Sequence, residues 1–150
     1  MGLFDFVKDA GAKLFGGGGP SPEEKATVLQ NNITKLGLDV RDLQVAVTDD
    51  VATVSGTTTS QEIREKVVLA AGNTEGIAKV DDRLVVEKPE PPAQFYTVVK
   101  GDSLSKIAKK YYGDAMKYPV IFEANKPMLE DPDLIYPGQV LRIPPLNPNN

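Results

Sequence analysis

The sequence contains no cysteine and no histidine. Without cysteine there can be no disulfide and no thiolate metal site. Without histidine there can be no imidazole ligand and no Ser-His or Cys-His catalytic pair. An enzyme would have to work with carboxylates, lysine or tyrosine, and no hydrolase-like pairing of carboxylates occurs. The composition therefore predicts a protein that is not an enzyme.

Basic charge is also scarce. The chain has 17 Lys and Arg against 21 Asp and Glu, a formal net charge of −4 and a pI of about 4.9. A basic surface that could hold nucleic acid is therefore not expected. The mild acidic excess is typical of a well-solvated protein, and it suits a cationic ligand better than an anionic one. At 150 residues, the length allows one domain or two small ones.

Long apolar runs are missing as well. No run is long enough to form a transmembrane helix, and the N-terminus does not resemble a signal peptide. Charged residues interrupt each candidate apolar core there, at Asp5, Lys8, Asp9 and Lys13. We therefore expect a cytoplasmic protein without a transmembrane segment.

Residues 1–15 predict an amphipathic helix. The apolar positions of one helical face are spaced i, i+4, i+7 and i+11, at Leu3, Val7, Ala10 and Leu14. Two interpretations are open. The helix packs on the next domain, or it lies on a membrane surface, which its balanced charges disfavour. Residues 16–21 include four consecutive glycines and predict a flexible hinge.

Residues 22–87 predict a domain with the element order α-β-β-α-β. The run Ser21-Pro22-Glu23-Glu24 combines an N-cap, a proline at the first helical position and a capping box. Residues 43–47 and 51–56 alternate apolar and polar side chains, which is the pattern of a β-hairpin. The order is completed by a second helix, with a capping box at Thr59 and Glu62 and an end at Gly72, and by a third strand over 77–86.

A second domain follows a proline-rich stretch. Residues 88–94 predict a semi-stiff linker, and residues 147–150 a short tail. Between them, residues 95–146 predict a β-α-α-β unit. Its first strand alternates over 96–99, a Gly-Asp turn follows, and Ser103 caps the first helix.

The two predicted domains each resemble a known family. Residues 22–87 are similar to a BON domain, through Val51-Ala52-Thr53-Val54-Ser55-Gly56, the helix after it and the run 76–82. Residues 95–146 resemble a LysM module. The resemblances imply an α+β fold with a three-stranded sheet and two helices in the first domain and a βααβ unit in the second.

LysM modules usually bind glycans that contain N-acetylglucosamine. The resemblance implies a groove between two loops, lined by Gly101, Asp102, Ser103, Leu104, Asp133, Leu134 and Ile135. In the alternative interpretation, residues 101–103 form only a turn and a helix cap.

The whole arrangement resembles a family of bacterial cytoplasmic BON–LysM proteins that bind potassium. The resemblance is carried by Phe95-Tyr96-Thr97-Val98 and by the runs 121–129 and 135–141. The chain departs from that family in its glycine run, in its linker and at Pro119, which is tolerated only at the start of a helix. The resemblance implies K+ as the ligand. No apolar surface stripe requires a dimer.

A potassium site needs several oxygen ligands and little negative charge. Backbone carbonyl dipoles can replace the water shell of K+, whereas carboxylate clusters favour Ca2+. Helix ends offer such carbonyls, because their last C=O groups lack helical partners. Guided by the resemblance, we predict K+ ligation by the backbone oxygens of Val7, Ala10, Ala12, Gly72, Thr74 and Ile77. In the alternative interpretation, residues 72–74 are an ordinary helix C-cap.

Two functions follow as hypotheses. In the first, K+ orders the N-terminal helix on the BON domain, and the LysM domain docks within the same molecule, so that the protein acts as an ion sensor or buffer. In the second, the protein is an envelope adaptor that binds peptidoglycan through the LysM groove. The second hypothesis requires export, for which the sequence has no visible signal.

Overall fold

The computed structural model of the chain describes residues 2–15 and 20–146. The chain divides into two packed units, Met1–Pro91 and Pro92–Asn150. The division falls within the predicted linker 88–94, although the last strand of the first unit extends to Lys88. Residues 16–19 of the predicted hinge and the predicted tail 147–150 lie outside the described residues.

A mixed sheet and two helices build the described part of the first unit. In chain order the elements are β1 (Gly2–Asp5), α1 (Pro22–Lys35), β2 (Val40–Thr48), β3 (Val51–Ser60), α2 (Gln61–Gly72) and β4 (Lys79–Lys88). The order of strands in the sheet is β1-β4-β3-β2. Strands β2 and β3 form the predicted antiparallel hairpin, while β3 and β4 are parallel and connected through α2.

Local signals explain where the two helices begin. The Ser21 side chain accepts a hydrogen bond from the Glu24 N–H, and the Glu24 carboxylate accepts one from the Ser21 N–H, so the predicted capping box is present. Helix α2 begins one residue later than predicted. Its cap is Ser60, whose hydroxyl accepts the Ile63 N–H, and not Thr59.

The first core lies between the helices and one face of the sheet. Helix α1 contributes Leu29 and Ile33, which are fully buried. Helix α2 is buried over its last two turns, from Glu65 to Gly72. The sheet contributes the alternate residues of its inner face, among them Leu43, Val47, Ala52, Val54, Val80 and Leu84.

The predicted N-terminal helix over residues 1–15 is wrong. Residues Gly2–Asp5 form strand β1, which pairs antiparallel with β4, so the sheet has four strands and not the predicted three. Two apolar residues assigned to the helical face, Leu3 and Val7, are 59% and 43% exposed. The residue that is buried is Phe6, at 9% exposure. The free edge of β4 supplies backbone partners to β1, which a short helix with few tertiary contacts cannot match.

The second unit has the predicted βααβ order. Its elements are β5 (Gln94–Thr97), α3 (Leu104–Tyr112), a short 3-10 helix (Ala115–Lys117), α4 (Tyr118–Ala124) and β6 (Val140–Ile143). Strands β5 and β6 pair antiparallel. Pro119 lies in the first turn of α4, where its missing N–H costs no helical hydrogen bond. The core of this unit is formed by Val98, Leu104, Ile107, Ala108, Ile121, Leu129, Leu141 and Ile143.

Candidate functional site

The N-terminal segment and the connection from α2 to β4 run against each other. We call residues 6–12 and 72–78 together the junction. On one side of it, the Phe6 N–H donates to the Ala78 carbonyl at 2.8 Å, and the Gly76 N–H donates to the Lys8 carbonyl at 2.7 Å. These bonds continue the antiparallel pairing of β1 and β4 beyond the strands themselves.

Ala12 holds the other side of the junction. Its N–H donates to the Asn73 carbonyl at 3.0 Å, and its carbonyl accepts the Glu75 N–H at 2.9 Å. The backbone of Ala12 is thereby paired in parallel with Thr74. The two segments predicted to share the ion site are therefore adjacent, although the first of them is not a helix.

Two glycines allow the backbones to come this close. A Cβ atom at Gly11 would lie 2.6 Å from the carbonyl carbon and oxygen of Asn73, and Gly11 has a φ of +102°. A Cβ atom at Gly72 would overlap the ring of Phe6. Any side chain at either position would push the N-terminal segment away from α2.

The predicted carbonyl ligands differ in how far they are already engaged. The Val7 oxygen accepts the Ala10 N–H at 3.1 Å, and the Thr74 oxygen accepts the Ile77 N–H at 3.0 Å. The Ala12 oxygen accepts two N–H groups, those of Leu14 and Glu75. A carbonyl oxygen has two lone pairs, so Ala12 has none left for an ion.

The other three predicted ligands are less engaged. Between described residues, and apart from bonds internal to helices and strands, no backbone N–H donates to the carbonyl of Ala10, Gly72 or Ile77. Their lone pairs are open to a ligand. Thr74 and Ile77 are fully buried, whereas Val7 and Ala12 are exposed, so the junction has one dry side and one side that faces water.

Four charged side chains surround the junction. The Lys8 ammonium lies 3.8 Å from the Asp50 carboxylate, and the Lys79 ammonium lies 2.8 Å from the Asp5 carboxylate. The hydrogen bond and charge of Asp5 raise the pKa of Lys79, with a smaller contribution from Asp50. Across residues 2–15 and 20–146, no group of three or more His, Cys, Asp or Glu side chains could hold a metal ion.

The first loop of the predicted glycan groove is engaged in internal bonds. The Asp102 carboxylate accepts the Tyr96 hydroxyl at 2.6 Å and the Val99 N–H at 2.9 Å, and the Ser103 hydroxyl accepts the Lys106 N–H as the cap of α3. The Gly101 carbonyl accepts the Lys106 ammonium, and Leu104 is a buried core residue. Residues 101–103 thus form the turn and cap of the alternative interpretation.

The second predicted loop is less bound. The N–H groups of Asp133 and Leu134 both donate to Asp131, to its side chain and its carbonyl respectively. Leu134 is 63% exposed, while Ile135 packs against the core of the second unit. Glycan binding by these residues remains a prediction.

The hydrogen bond between Tyr96 and Asp102 shifts the pKa of both groups. The bond from Tyr96, the Val99 N–H and the nearby lysines lower the pKa of Asp102. The same bond, with burial and the Asp102 charge, raises the pKa of Tyr96 to about 12. Lys110 lies over the rings of Tyr96 and Tyr111, 5.0 and 5.8 Å from their centroids.

The predicted ligands span residues 7–12 and 72–77, but the prediction gave Phe6, Lys8 and Asn73 no role in the site. Phe6 is an aromatic residue in a charged segment, and Gly72 is a small residue at a helix end. An aromatic ring that packs on a glycine is a recognisable signal, but these two residues are expected to meet only if the N-terminal segment forms a strand. Asn73 contributes through its backbone carbonyl, for which the sequence carries no side-chain signal.

The sequence matches two domain families. Residues 24–88 match the BON domain family and residues 96–144 the LysM domain family. In the described part of the chain, no helix is both long and apolar enough to cross a membrane. The chain is therefore a two-domain BON–LysM protein. The junction lies at one end of the sheet of its BON domain.

Comparison with whole proteins identifies the family of BON–LysM proteins to which the chain belongs. The chain is 50% identical over 147 residues to the potassium binding protein Kbp of Escherichia coli O6:H1, covering 96% of this chain and 99% of that protein. The chain belongs to the Kbp family. It is also 26% identical over 145 residues to the uncharacterized protein YqbP of Bacillus subtilis, covering 85% of this chain and 66% of that protein.

A shorter similarity involves an enzyme. The chain is 43% identical over 67 residues to Esterase Rv1288 of Mycobacterium tuberculosis. The match covers 45% of this chain and only 13% of the esterase. It therefore relates one part of the chain to a small part of that protein.

Proposed function

We propose that this protein binds K+ at the junction through backbone carbonyl oxygens and acts as a sensor or buffer of the ion, without catalysis. The observation that carries the proposal is its 50% identity, over 96% of the chain, to a protein named for potassium binding. A cytoplasmic location, a monomeric state and a role in stress response belong to the same proposal.

The chemistry of the junction fits a large monovalent cation. K+ is bound by several carbonyl dipoles without a compensating carboxylate cluster. Val7, Ala10, Gly72, Thr74 and Ile77 keep at least one lone pair open, so we propose these five as ligands. We assign Ala12, the sixth predicted ligand, a positioning role, because two N–H groups occupy its oxygen.

Ion binding would stabilise the docked N-terminal segment. Carbonyl oxygens on both sides of the junction repel one another when they converge, and a cation between them offsets that repulsion. An ion that binds only the docked state stabilises it by mass action, by about 2.7 kcal/mol at 100 times the dissociation constant. Because the segment begins with strand β1, the ion would favour its pairing with the sheet and not the docking of a helix. We propose that the LysM unit then docks within the same molecule.

Isothermal calorimetry and thermal melting test this function. KCl and NaCl are titrated into the full chain at one fixed ionic strength, and we expect heat and a rise in Tm with K+ that exceed those with Na+. Equal heats and equal Tm shifts for the two salts would refute a selective ion site.

A pair of glycine substitutions tests the location of the site. Gly11→Ala places a Cβ atom 2.6 Å from the Asn73 backbone, so it should abolish or strongly weaken the response to K+. Gly37→Ala is the matched control. It has a similar positive φ of +76°, but nothing lies within 4 Å of the added atom. A K+ response that survives Gly11→Ala unchanged would exclude the junction.

The LysM match to residues 96–144 supplies a second candidate function, peptidoglycan binding. We do not favour it, since Asp102 and Ser103 of the predicted groove already hold the turn and the start of α3. Co-sedimentation with purified peptidoglycan tests it. Robust pelleting of the full chain would restore that candidate.

A further inference from the structure

An alternating row of charges fastens the N-terminal segment to the sheet. Asp5 and Lys8 belong to the segment, Lys79 begins β4, and Asp50 lies in the turn between β2 and β3. The ion pairs are Lys79 with Asp5 and Lys8 with Asp50. The charge of Asp50 also makes a small contribution to the raised pKa of Lys79.

The backbone fixes Lys8 beside the proposed ion ligands. Lys8 follows Val7 in the chain, and its carbonyl accepts the N–H of Gly76, the neighbour of Ile77. The Asp50 carbonyl accepts the N–H groups of Ala78 and Lys79. The Lys8 ammonium lies 3.8 Å from the carboxylate of this same Asp50. Since the backbone of Asp50 is bonded to Ala78, the last residue of the junction, the positive charge of Lys8 lies at the rim of the junction.

We propose that Lys8 sets the affinity of the ion site, as a tethered cation whose charge opposes the entry of K+. This inference rests on the proposed K+ binding at the junction. Like charges repel even in water, and the repulsion decreases with distance and with salt. The side chains of Lys8 and Asp50 are 56% and 38% exposed, so the effect is moderate and sensitive to ionic strength.

A purely structural role of Lys8 predicts the opposite result. If the pair with Asp50 served only to hold the segment in place, its loss would loosen the junction and weaken K+ binding. Exposed ion pairs contribute little to stability, so the loss of that support is small. Removal of a competing charge strengthens binding. The sign of the change in affinity therefore distinguishes the two roles.

The experiment compares Lys8→Gln with Lys88→Gln in the full chain. Both variants remove one positive charge, but Lys88 lies at the far end of β4, about 30 Å away along the strand. K+ is titrated by calorimetry in choline chloride at ionic strengths of about 0.02 and 0.5 M. At low ionic strength we expect Lys8→Gln to bind K+ about 2–5-fold tighter, and Lys88→Gln to change affinity by less than about 1.5-fold. At high ionic strength the gain should disappear.

Two further measurements complete the test. Lys8→Arg keeps the charge and should lack the gain. In choline chloride without K+, the Tm of Lys8→Gln should equal that of the wild type or lie slightly below it, while its rise on addition of K+ should be larger. Unchanged or weaker K+ binding by Lys8→Gln at low ionic strength would overturn the inference, as would a Tm gain of equal size with and without K+. If the wild type itself gives no K+ response, the proposed function fails instead.

Discussion

The ring of Phe6 packs directly on the backbone of Gly72. The lack of a side chain at Gly72 is therefore what allows the N-terminal segment to dock at the junction. Phe6 is 9% exposed, and a Cβ atom on Gly72 would overlap its ring. We expect Gly72→Ala to lower the free energy of unfolding of the first unit by about 1–3 kcal/mol, because the ring must move. Urea denaturation measures the loss, and K+ titration should show a weaker response.

A double-mutant cycle checks that the Phe6 ring is the cause. Phe6→Leu removes most of the overlap, so Gly72→Ala should cost less in that background than in the wild type. Residues in contact show coupling energies of about 0.5–3 kcal/mol. Strictly additive effects would mean that the substitution acts on helix α2 and not on the docked segment.

The pair of Tyr96 and Asp102 gives the second unit a pH dependence with a definite sign. Asp102 has a lowered pKa in the fold. It therefore contributes stability above the unfolded pKa of about 3.9, and that contribution is lost as the pH falls through the lower, folded value. Tyr96 acts in the other direction. Its pKa of about 12 means a contribution that is complete below about pH 10 and is lost as the pH rises through 12.

Tyr96→Phe tests this linkage. Loss of the hydroxyl removes the first cause of the Asp102 shift, so the pKa of Asp102 should rise toward its ordinary value. We expect the urea stability of the variant to change less between pH 5 and pH 2 than that of the wild type. NMR titration of the Asp102 carboxyl carbon measures the pKa directly. An Asp102 pKa that is identical in both proteins would contradict the assignment.

At the scale of elements, the strong local signals predicted most of the fold. The capping box at Ser21, the hairpin between β2 and β3, and the cap at Ser103 all carry their information in side chains close in sequence. Strand β1 carries no such signal. It has only four residues, and it is stabilised by the edge of β4, a tertiary context that overrides the helical spacing.

The candidate site was partly predictable for a similar reason. The family resemblance pointed to two segments, and they are adjacent in the structure. Which carbonyl is open depends on backbone hydrogen bonds that no side chain encodes. Ala12 illustrates this. It is the same residue type as Ala10 and lies two positions away, but its carbonyl oxygen accepts the N–H groups of Leu14 and Glu75.

Strand β1 can be tested through its backbone. Phe6 donates to Ala78, and hydrogen-bonded positions alternate along an antiparallel pair, so Phe4 is expected to donate to its partner Val80. Proline removes that donor. Phe4→Pro should destabilise the first unit by about 1–2 kcal/mol more than Phe4→Ala, which removes the same side chain.

Hydrogen exchange provides the measurement for this pair of variants. Amides along β4 should exchange faster in Phe4→Pro than in Phe4→Ala, because the edge of β4 loses its partner. Equal protection of β4 in the two variants would show that the backbone pairing of β1 contributes nothing to the sheet.

At the scale of the whole molecule, the proposed ion site and the LysM core belong to different units. All five proposed ligands lie in the first unit, Met1–Pro91. The second unit has its own polar centre. Asn125 is 2% exposed, donates to the carbonyls of Ile121 and Arg142, and accepts the Arg142 N–H. A destabilising substitution is therefore available in each unit, at Gly72 in the first and at Asn125 in the second, and it can assign an unfolding transition to that unit.

Calorimetric unfolding of the full chain can then locate the effect of K+. Asn125→Ala leaves buried backbone groups unpaired, so it should lower the free energy of unfolding of the second unit by about 2–4 kcal/mol and thereby identify its transition. Gly72→Ala identifies the transition of the first unit in the same way. At 100 times the dissociation constant, K+ should raise the first transition by roughly 10–20 °C, since a domain of this size gains about 4–8 °C per kcal/mol. Docking of the LysM unit in the ion-bound state requires a smaller rise in the second transition as well. A rise in the Tm of the first unit alone would refute LysM docking and leave the proposed site intact. A larger rise in the Tm of the second unit would show that the ion does not bind at the junction.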